Sequence, residues 1–291
     1  MAEFVQQVLD GLESGAIYAA LALALVLVHR STGLINFAQG EIAMFSTYIC
    51  FTALNAGLPV AVAVALAMAL SFAAGMLIDR TLFRGAAARR PLTAVVLMLG
   101  LFIGINSAAG LIWSYQVQRM PALFPEGLFK VAGTTLNYQM LGTLAVLLLI
   151  CLLLHLLFVH TKLGLMMRAA VSNRESCRLL GINPGTMLGL GWGLAAALGC
   201  LAGVLVTPRL FLDPNVMQGI IIFSIAAATV GGLDSAAGAI IAGLGIGVLE
   251  NLAGSYLVGS DLRACVPLIL IIAALTLRPQ GLFGQIKSVR V

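Results

Sequence analysis

Asn36, Gln39 and Glu41 stand close together inside an otherwise apolar run, bracketed by Gly33 and Gly40. A carboxylate deep in a bilayer costs roughly 2.5 kcal/mol or more, and loosened backbone survives at that depth only inside protein or beside a wet cavity. Glu41 is therefore expected to face protein or water. The chemistry open to such a group is noncovalent: it can hold a proton, a cation or the polar end of a solute in transit. The amides of Asn36 and Gln39 suit a zwitterion in passing, or the backbone of a broken helix. Glu41 also has a plainer role available, as a first-turn carboxylate stabilised by the dipole of the helix that begins after Gly40.

A second break of the same kind occurs at Gly232-Leu233-Asp234-Ser235-Ala236-Ala237-Gly238-Ala239-Ile240, which echoes Gly33-Leu34-Ile35-Asn36-Phe37-Ala38-Gln39-Gly40-Glu41-Ile42. Interrupted apolar segments at matching places in two halves of a chain point to a translocation path. An internal repeat accounts for the echo, and so does chance likeness between glycine-rich apolar segments. The expected path or gate residues are Asn36, Gln39, Gly40, Glu41, Asp234 and Ser235.

Covalent chemistry finds no foothold. There is no nucleophile and base pair and no pair of catalytic carboxylates. Cys50, Cys151, Cys177, Cys200 and Cys265 form no C-x-x-C, and His29, His155 and His160 lack ligand spacing. No enzyme activity, metal or cofactor is expected. The chain also lacks the G-x-x-x-x-G-K-[ST] loop, so any ATP-derived energy must enter through a partner.

The elements that must position these residues follow from composition. The 291 residues are 61% hydrophobic and 9% charged, with a mean hydropathy of +1.07, whereas soluble domains carry about 25% charged residues. Unbroken apolar runs of helix length exclude a membrane β-barrel. The fold expected is an all-α polytopic transmembrane bundle of about eight to ten spans, broken or re-entrant helices included. Spans are expected at 12–28, 34–55, 59–79, 93–113, 139–159, 188–206, 218–232, 237–254 and 265–277. Residues 1–291 read as one transmembrane permease domain, with an inside loop at 160–187.

The net charge of +5 invites a nucleic-acid reading. The cations instead cluster in loops beside apolar spans, as the positive-inside rule requires. Arg80, Arg84, Arg89 and Arg90 mark one inside loop, Lys162, Arg168, Arg174 and Arg178 another, and Arg278, Lys287 and Arg290 an inside tail. Glu3, Asp10 and Glu13 place the N-terminus outside and lack the basic region of a cleaved signal. The outside stretch from Ser114 to Tyr138 reads as an ordered cap. The glycines at 189, 191, 193, 199, 203, 243, 245 and 247 read as helix-packing positions.

The inside loop carries its own structural signals. Ser172 and Glu175 have capping-box spacing, and Gly181 with Asn183-Pro184 supplies a stop, which predicts a short helix over 173–180. Arg174 and Arg178 share one face of it. The loop reads either as a docking surface or as a solvated hairpin whose arginines enforce topology or bind lipid headgroups.

The quoted Gly33–Glu41 run, the loop from Arg168-Ala169-Ala170 through Leu180-Gly181-Ile182, the run Ala228-Thr229-Val230-Gly231-Gly232-Leu233, and Leu277-Arg278-Pro279-Gln280-Gly281-Leu282-Phe283-Gly284 resemble the LivH-type membrane subunit of branched-chain amino acid ABC importers. The resemblance runs over nearly the whole chain in the family's order. It implies a multi-pass permease of the bacterial inner membrane that translocates leucine, isoleucine or valine. Its implied partners are a second similar permease, two cytoplasmic ATPases and a periplasmic binding protein. It assigns ATPase coupling to the inside loop, here Arg168, Arg174, Glu175, Arg178, Leu179 and Leu180. The chain departs from the family at Gly232–Gly238, where a bulkier insert with a proline is expected, and this bears on substrate identity.

Glu250 and Asn251 read as interfacial residues at a span end, and Asn106 and His155 as polar residues that bond a neighbouring helix. Arg119, Lys130, Arg209 and Arg263 are either docking cations for the binding protein or scattered loop charge. The rival class is a secondary transporter of small polar solutes, with Glu41 or Asp234 carrying a coupling ion.

Overall fold

The computed structural model describes residues 2–87, 91–125, 127–131, 134–257, 259, 262–263, 265–278 and 280–284. They form an all-helical bundle with one small hairpin. In chain order come α1 (Ala2–Thr32), α2 (Gln39–Asn55), α3 (Val60–Ile78) with a π-helical extension (Asp79–Ala87), and α4 (Pro91–Trp113). Then follow β1 (Leu128–Val131), β2 (Thr134–Asn137), α5 (Tyr138–His160), α6 (Lys162–Ser172) and α7 (Arg174–Leu179). The chain closes with α8 (Pro184–Leu210), α9 (Val216–Gly231), α10 (Ala236–Tyr256) and α11 (Cys265–Leu277).

A helix occupies every expected span, but the helices are not equal. Six, namely α1, α3, α4, α5, α8 and α10, are long and apolar enough to cross a membrane. The other three, α2, α9 and α11, have 17, 16 and 13 residues, or about 25, 24 and 20 Å at 1.5 Å per residue. That falls short of a hydrocarbon core about 30 Å thick.

The centre of the bundle is α1 and α8, each 83% buried along its apolar window. Around them α3, α4 and α5 turn wide apolar faces outward: Leu111, Leu148 and Ile103 are 88%, 69% and 63% exposed. Lipid replaces water as the neighbour of those faces, so packing and not the hydrophobic effect must hold the inner helices together. Glycine does this between α1 and the antiparallel α10. A Cβ on Gly15 would lie 2.8 Å from the Gly243 carbonyl oxygen, and one on Gly247 would lie 2.3 Å from the Gly15 nitrogen. Gly245, on the same helix, faces open space, so only part of that glycine run is a packing surface.

Hydroxyls link the next layer. Ser46 on α2 donates to Ser71 Oγ on α3 at 2.7 Å, and Ser71 donates to the Ala196 carbonyl on α8 at 2.8 Å. Each donor thereby finds an acceptor without water.

The two ends of the bundle differ. At one, β1 and β2 pair antiparallel, and the Gln6 side chain accepts from the Thr135 amide at 2.9 Å. At the other lie α6, α7, the breaks after α1 and α9, and the C-terminal segment. Gly33 and Gly232 close their helices with φ of 76° and 104°, conformations open to glycine because it lacks a Cβ. Arg30 brings the two breaks together by donating from Nε to the Asp234 carbonyl at 3.0 Å. The C-terminal segment then lies along the second break, where the Leu282 and Phe283 amides donate to the Val230 and Gly231 carbonyls at 2.8 and 3.2 Å.

Two expectations are corrected. The inside loop holds two helices, not one, and Ser172 ends the first of them; Asn173 caps α7, its Oδ1 accepting from the Glu175 and Ser176 amides. Asn outranks a Ser already committed to the preceding helix. Glu250 is not interfacial but 8% exposed, because α10 turns it onto α1, where it accepts from the Tyr18 hydroxyl at 3.0 Å. Glu13, inside the expected first span, is 5% exposed on α1.

Gly15→Val should force α1 and α10 apart. Overpacking of this kind costs typically about 1–3 kcal/mol, and the expected outcome is a lowered melting temperature in detergent, with Gly245→Val, at the open position, as the near-neutral control.

Candidate functional site

The chain folds Glu41 into a knot of polar side chains from four segments. Glu41 lies in the first turn of α2, and that helix starts partway along the bundle. Gln39 donates to the Ala195 carbonyl at 2.9 Å, and Ala195 lies eleven residues up α8 from Pro184, about 17 Å at helical rise. The start of α9 meets it at the same depth: Gly40 packs against Met217 and Ile221. Two short helices thus begin side by side inside the bundle, with their N-terminal first turns near the Glu41 carboxylate.

Asn106 on α4 is the hub. Its Nδ2 donates to Glu41 Oε2 at 3.2 Å, to the Pro214 carbonyl at 2.8 Å and to Asn215 Oδ1 at 3.3 Å. The Tyr115 hydroxyl donates to Asn106 Oδ1 at 3.1 Å. Gln218 stands beside the Glu41 carboxylate and donates to Asn215 Oδ1 at 2.9 Å. Asp213 Oδ1 accepts from the Asn215 amide at 2.7 Å, which shapes the turn that launches α9.

This knot is buried at one edge and open at the other. Glu41 is 1% exposed, whereas Tyr115 is 56% exposed, and Asn215 and Gly219 are exposed beside it. A polar surface therefore opens on the flank of the bundle, about 10 Å below the end of α4 at the level of Asn106. Lipid at that depth is a costly neighbour for the exposed polar side chains of Tyr115 and Asn215. A second protein surface or water must cover it.

The other expected path residues sit differently. Asn36 and Gln39 are 0% and 1% exposed. Asn36 Oδ1 accepts from the Ala38 amide at 3.1 Å and its Nδ2 donates to Gln39 Oε1 at 3.2 Å. They brace the break between α1 and α2. Asp234 and Ser235 lie at the α7 end: Ser235 Oγ caps α10 by accepting from the Gly238 amide at 3.0 Å, and Asp234 Oδ1 stands 3.7 Å from His29 Nδ1. The structure joins Glu41 to Asn106 but leaves Asp234 in a separate cluster. Sequence reasoning missed Asn215, Gln218 and Tyr115. The available signal was Asp213-Pro214-Asn215, a turn sequence just before a run too short to span.

At the α7 end, Arg168, Arg174, Glu175 and Arg178 are exposed, and Leu179 and Leu180 are 89% and 77% exposed. Cys177 alone on α7 is buried and anchors the helix to the bundle. At the hairpin end, Arg119 is exposed, while Arg209 pairs with Glu13 at 3.4 Å. Arg263 packs on Gly254 with its Nε buried. The side chain of Lys130 lies outside the described residues. Among the described residues no three of His, Cys, Asp and Glu come together to hold a metal ion.

Comparison with known proteins now has a geometry to meet. Residues 7–275 match the family of branched-chain amino acid transport system permease components. The chain belongs to that family. It is 29% identical to the high-affinity branched-chain amino acid transport permease BraD of Pseudomonas aeruginosa over 97% of this chain and 96% of that one. It is 28% identical to LivH of Escherichia coli K12, again over 97% and 96%. The probable LivH of Methanocaldococcus jannaschii is 28% identical over 94% and 91%. In fold it is similar to PsaBC from Streptococcus pneumoniae, solved in complex with Fab, with a TM-score of 0.53 over 96% of each chain at 13% identity.

Glu41→Ala should remove the acceptor that Asn106 Nδ2 reaches at 3.2 Å, while Asn106 keeps the Pro214 carbonyl. A loss of about 1 kcal/mol, the net worth of one hydrogen bond, is expected, and Glu41→Gln, which keeps an acceptor oxygen, should lose less; thermal melts of both variants check the order.

Proposed function

We propose that the chain is the membrane subunit of an ABC importer for branched-chain amino acids, in a bacterial inner membrane, and that it performs no covalent chemistry. The observation that carries this reading is the polar flank at Glu41, Asn106 and Gln218. A single subunit cannot leave that surface to lipid, so a second, similar permease covers it and the substrate passes along the seam. The names of the relatives supply the substrate class. Asn36, Gln39 and Gly40 hold the seam's inner wall in place from behind.

Orientation follows from charge. Arg80, Lys162, Arg168, Arg174, Arg178 and Arg278 all belong to the α7 end, and Glu3, Asp10 and Glu13 to the hairpin end. Positive charge concentrates on the cytoplasmic side, so α7 faces the cytoplasm and the hairpin the periplasm. One of the two ATPases docks there on α6 and α7, with Arg174, Arg178, Leu179 and Leu180 as the contact face, and Arg168 and Glu175 at its edge. Exposed leucines on a short capped helix make sense as knobs for a partner's cleft, since a solvated loop has no use for them. Ion coupling through Glu41 or Asp234 would leave those leucines without a role. On the periplasmic face, Arg119 is the cation best presented to a binding protein, since Arg209 and Arg263 turn toward Glu13 and Glu250 of this chain.

The test is ATP-driven leucine uptake into proteoliposomes holding the permease pair and its ATPases. Uptake should require the binding protein and ATP hydrolysis; uptake on an ion gradient without ATPases refutes the reading. Replacing Arg174 and Arg178 together by Glu should abolish co-purification of the ATPases while membrane insertion stays normal. Glu41→Ala should lower the uptake rate by more than its yield.

A further inference from the structure

On the cytoplasmic side, between the inner ends of α1, α5 and α8 and the face of α6, lies a cavity of about 510 Å³. It shares no lining residue with the polar knot at Glu41. Its walls are of two kinds. Leu27, Met167 and Met187 give apolar surface, and the two thioethers adapt to ligand shape. Arg30, Arg168 and Asp234 give charge of both signs.

The charged groups come from three elements. Arg30, near the end of α1, grips the Asp234 carbonyl with both Nε and a terminal guanidinium nitrogen, so the break between α9 and α10 forms a fixed wall. The Asp234 side chain is 36% exposed beside His29. Arg168 reaches in from α6 and is itself exposed. Two arginines alone would suit any amphiphilic anion. The acid in the same wall opposes a plain carboxylate or phosphate but attracts an ammonium. The volume falls in the range of small-molecule sites, which pair apolar walls with a few convergent polar groups.

We propose that this cavity is a second, cytoplasmic site for a free α-amino acid with a short aliphatic side chain. The carboxylate sits between Arg30 and Arg168, the ammonium on Asp234, and the side chain among Leu27, Met167 and Met187. The inference rests on the reading of such amino acids as the cargo. A bound amino acid ties α6 to α1 and to the break after α9. Because α6 and α7 form the surface on which the ATPases act, accumulated cargo then slows further import.

Calorimetry of L-leucine with the full-length chain in phosphatidylcholine nanodiscs tests the site. Leucine should bind, with affinity at least tenfold weaker in Arg168→Gln and in Asp234→Asn. The acid 4-methylpentanoate, which lacks the ammonium, should also bind at least tenfold more weakly. Met187→Trp fills the cavity without altering a charge, and it should abolish binding while keeping the wild-type melting temperature. Absence of leucine binding, or equal affinity in the wild type and all three variants, overturns the proposal. So does loss of leucine binding when phosphatidylethanolamine is added to the discs, since a lipid headgroup then owns the cavity. Leucine uptake without binding here refutes this site alone, and binding here without leucine uptake refutes the cargo reading alone.

Discussion

Inside a bilayer a helix can stop only where other parts of the protein take over its unpaired backbone groups and whatever polar side chains accompany the break. This chain stops helices three times within the bundle or at its inner edge, after α1, before α9 and after α9. Asn36 and Gln39 serve the first break, each wholly enclosed and hydrogen-bonded. Asp213 and Asn215 serve the second. Arg30, Ser235 and the C-terminal segment serve the third. The short helices that result place two N-termini at one depth, and from that the polar flank at Glu41 follows.

Close packing holds the breaks in register. The glycine contact between α1 and α10 fixes where α10 begins, and therefore where Asp234 lies against Arg30. Gly281 repeats the device at the C-terminus: a Cβ there would lie 2.5 Å from the Gly232 Cα. The C-terminal segment thus reads the position of the break between α9 and α10 directly.

Charge is arranged in the same economical way. At the hairpin end the acids Glu13 and Glu250 are buried, and their neighbours Arg209 and Tyr18 are turned to them. The arginines of α6 and α7, by contrast, are exposed at the opposite end.

Membrane character, the positions of the apolar helices and the unusual status of Glu41 were all legible in the amino-acid order. They depend on local hydropathy and on the cost of a carboxylate among apolar residues, neither of which needs a neighbour from elsewhere in the chain. A helix on the inside loop was legible for the same reason, although the residue that caps it was misread by one position. What covers a polar group is a different kind of fact. That Glu250 faces Tyr18, that Asn106 joins Glu41 to the start of α9, and that Asn36 braces a break and turns away from the flank were decided only by tertiary packing. Asn36 and Asn106 are the same residue type in similarly apolar surroundings. One is sealed by α8 and the other lies at an open flank, and a one-dimensional pattern carries no record of which helix arrives against which side chain.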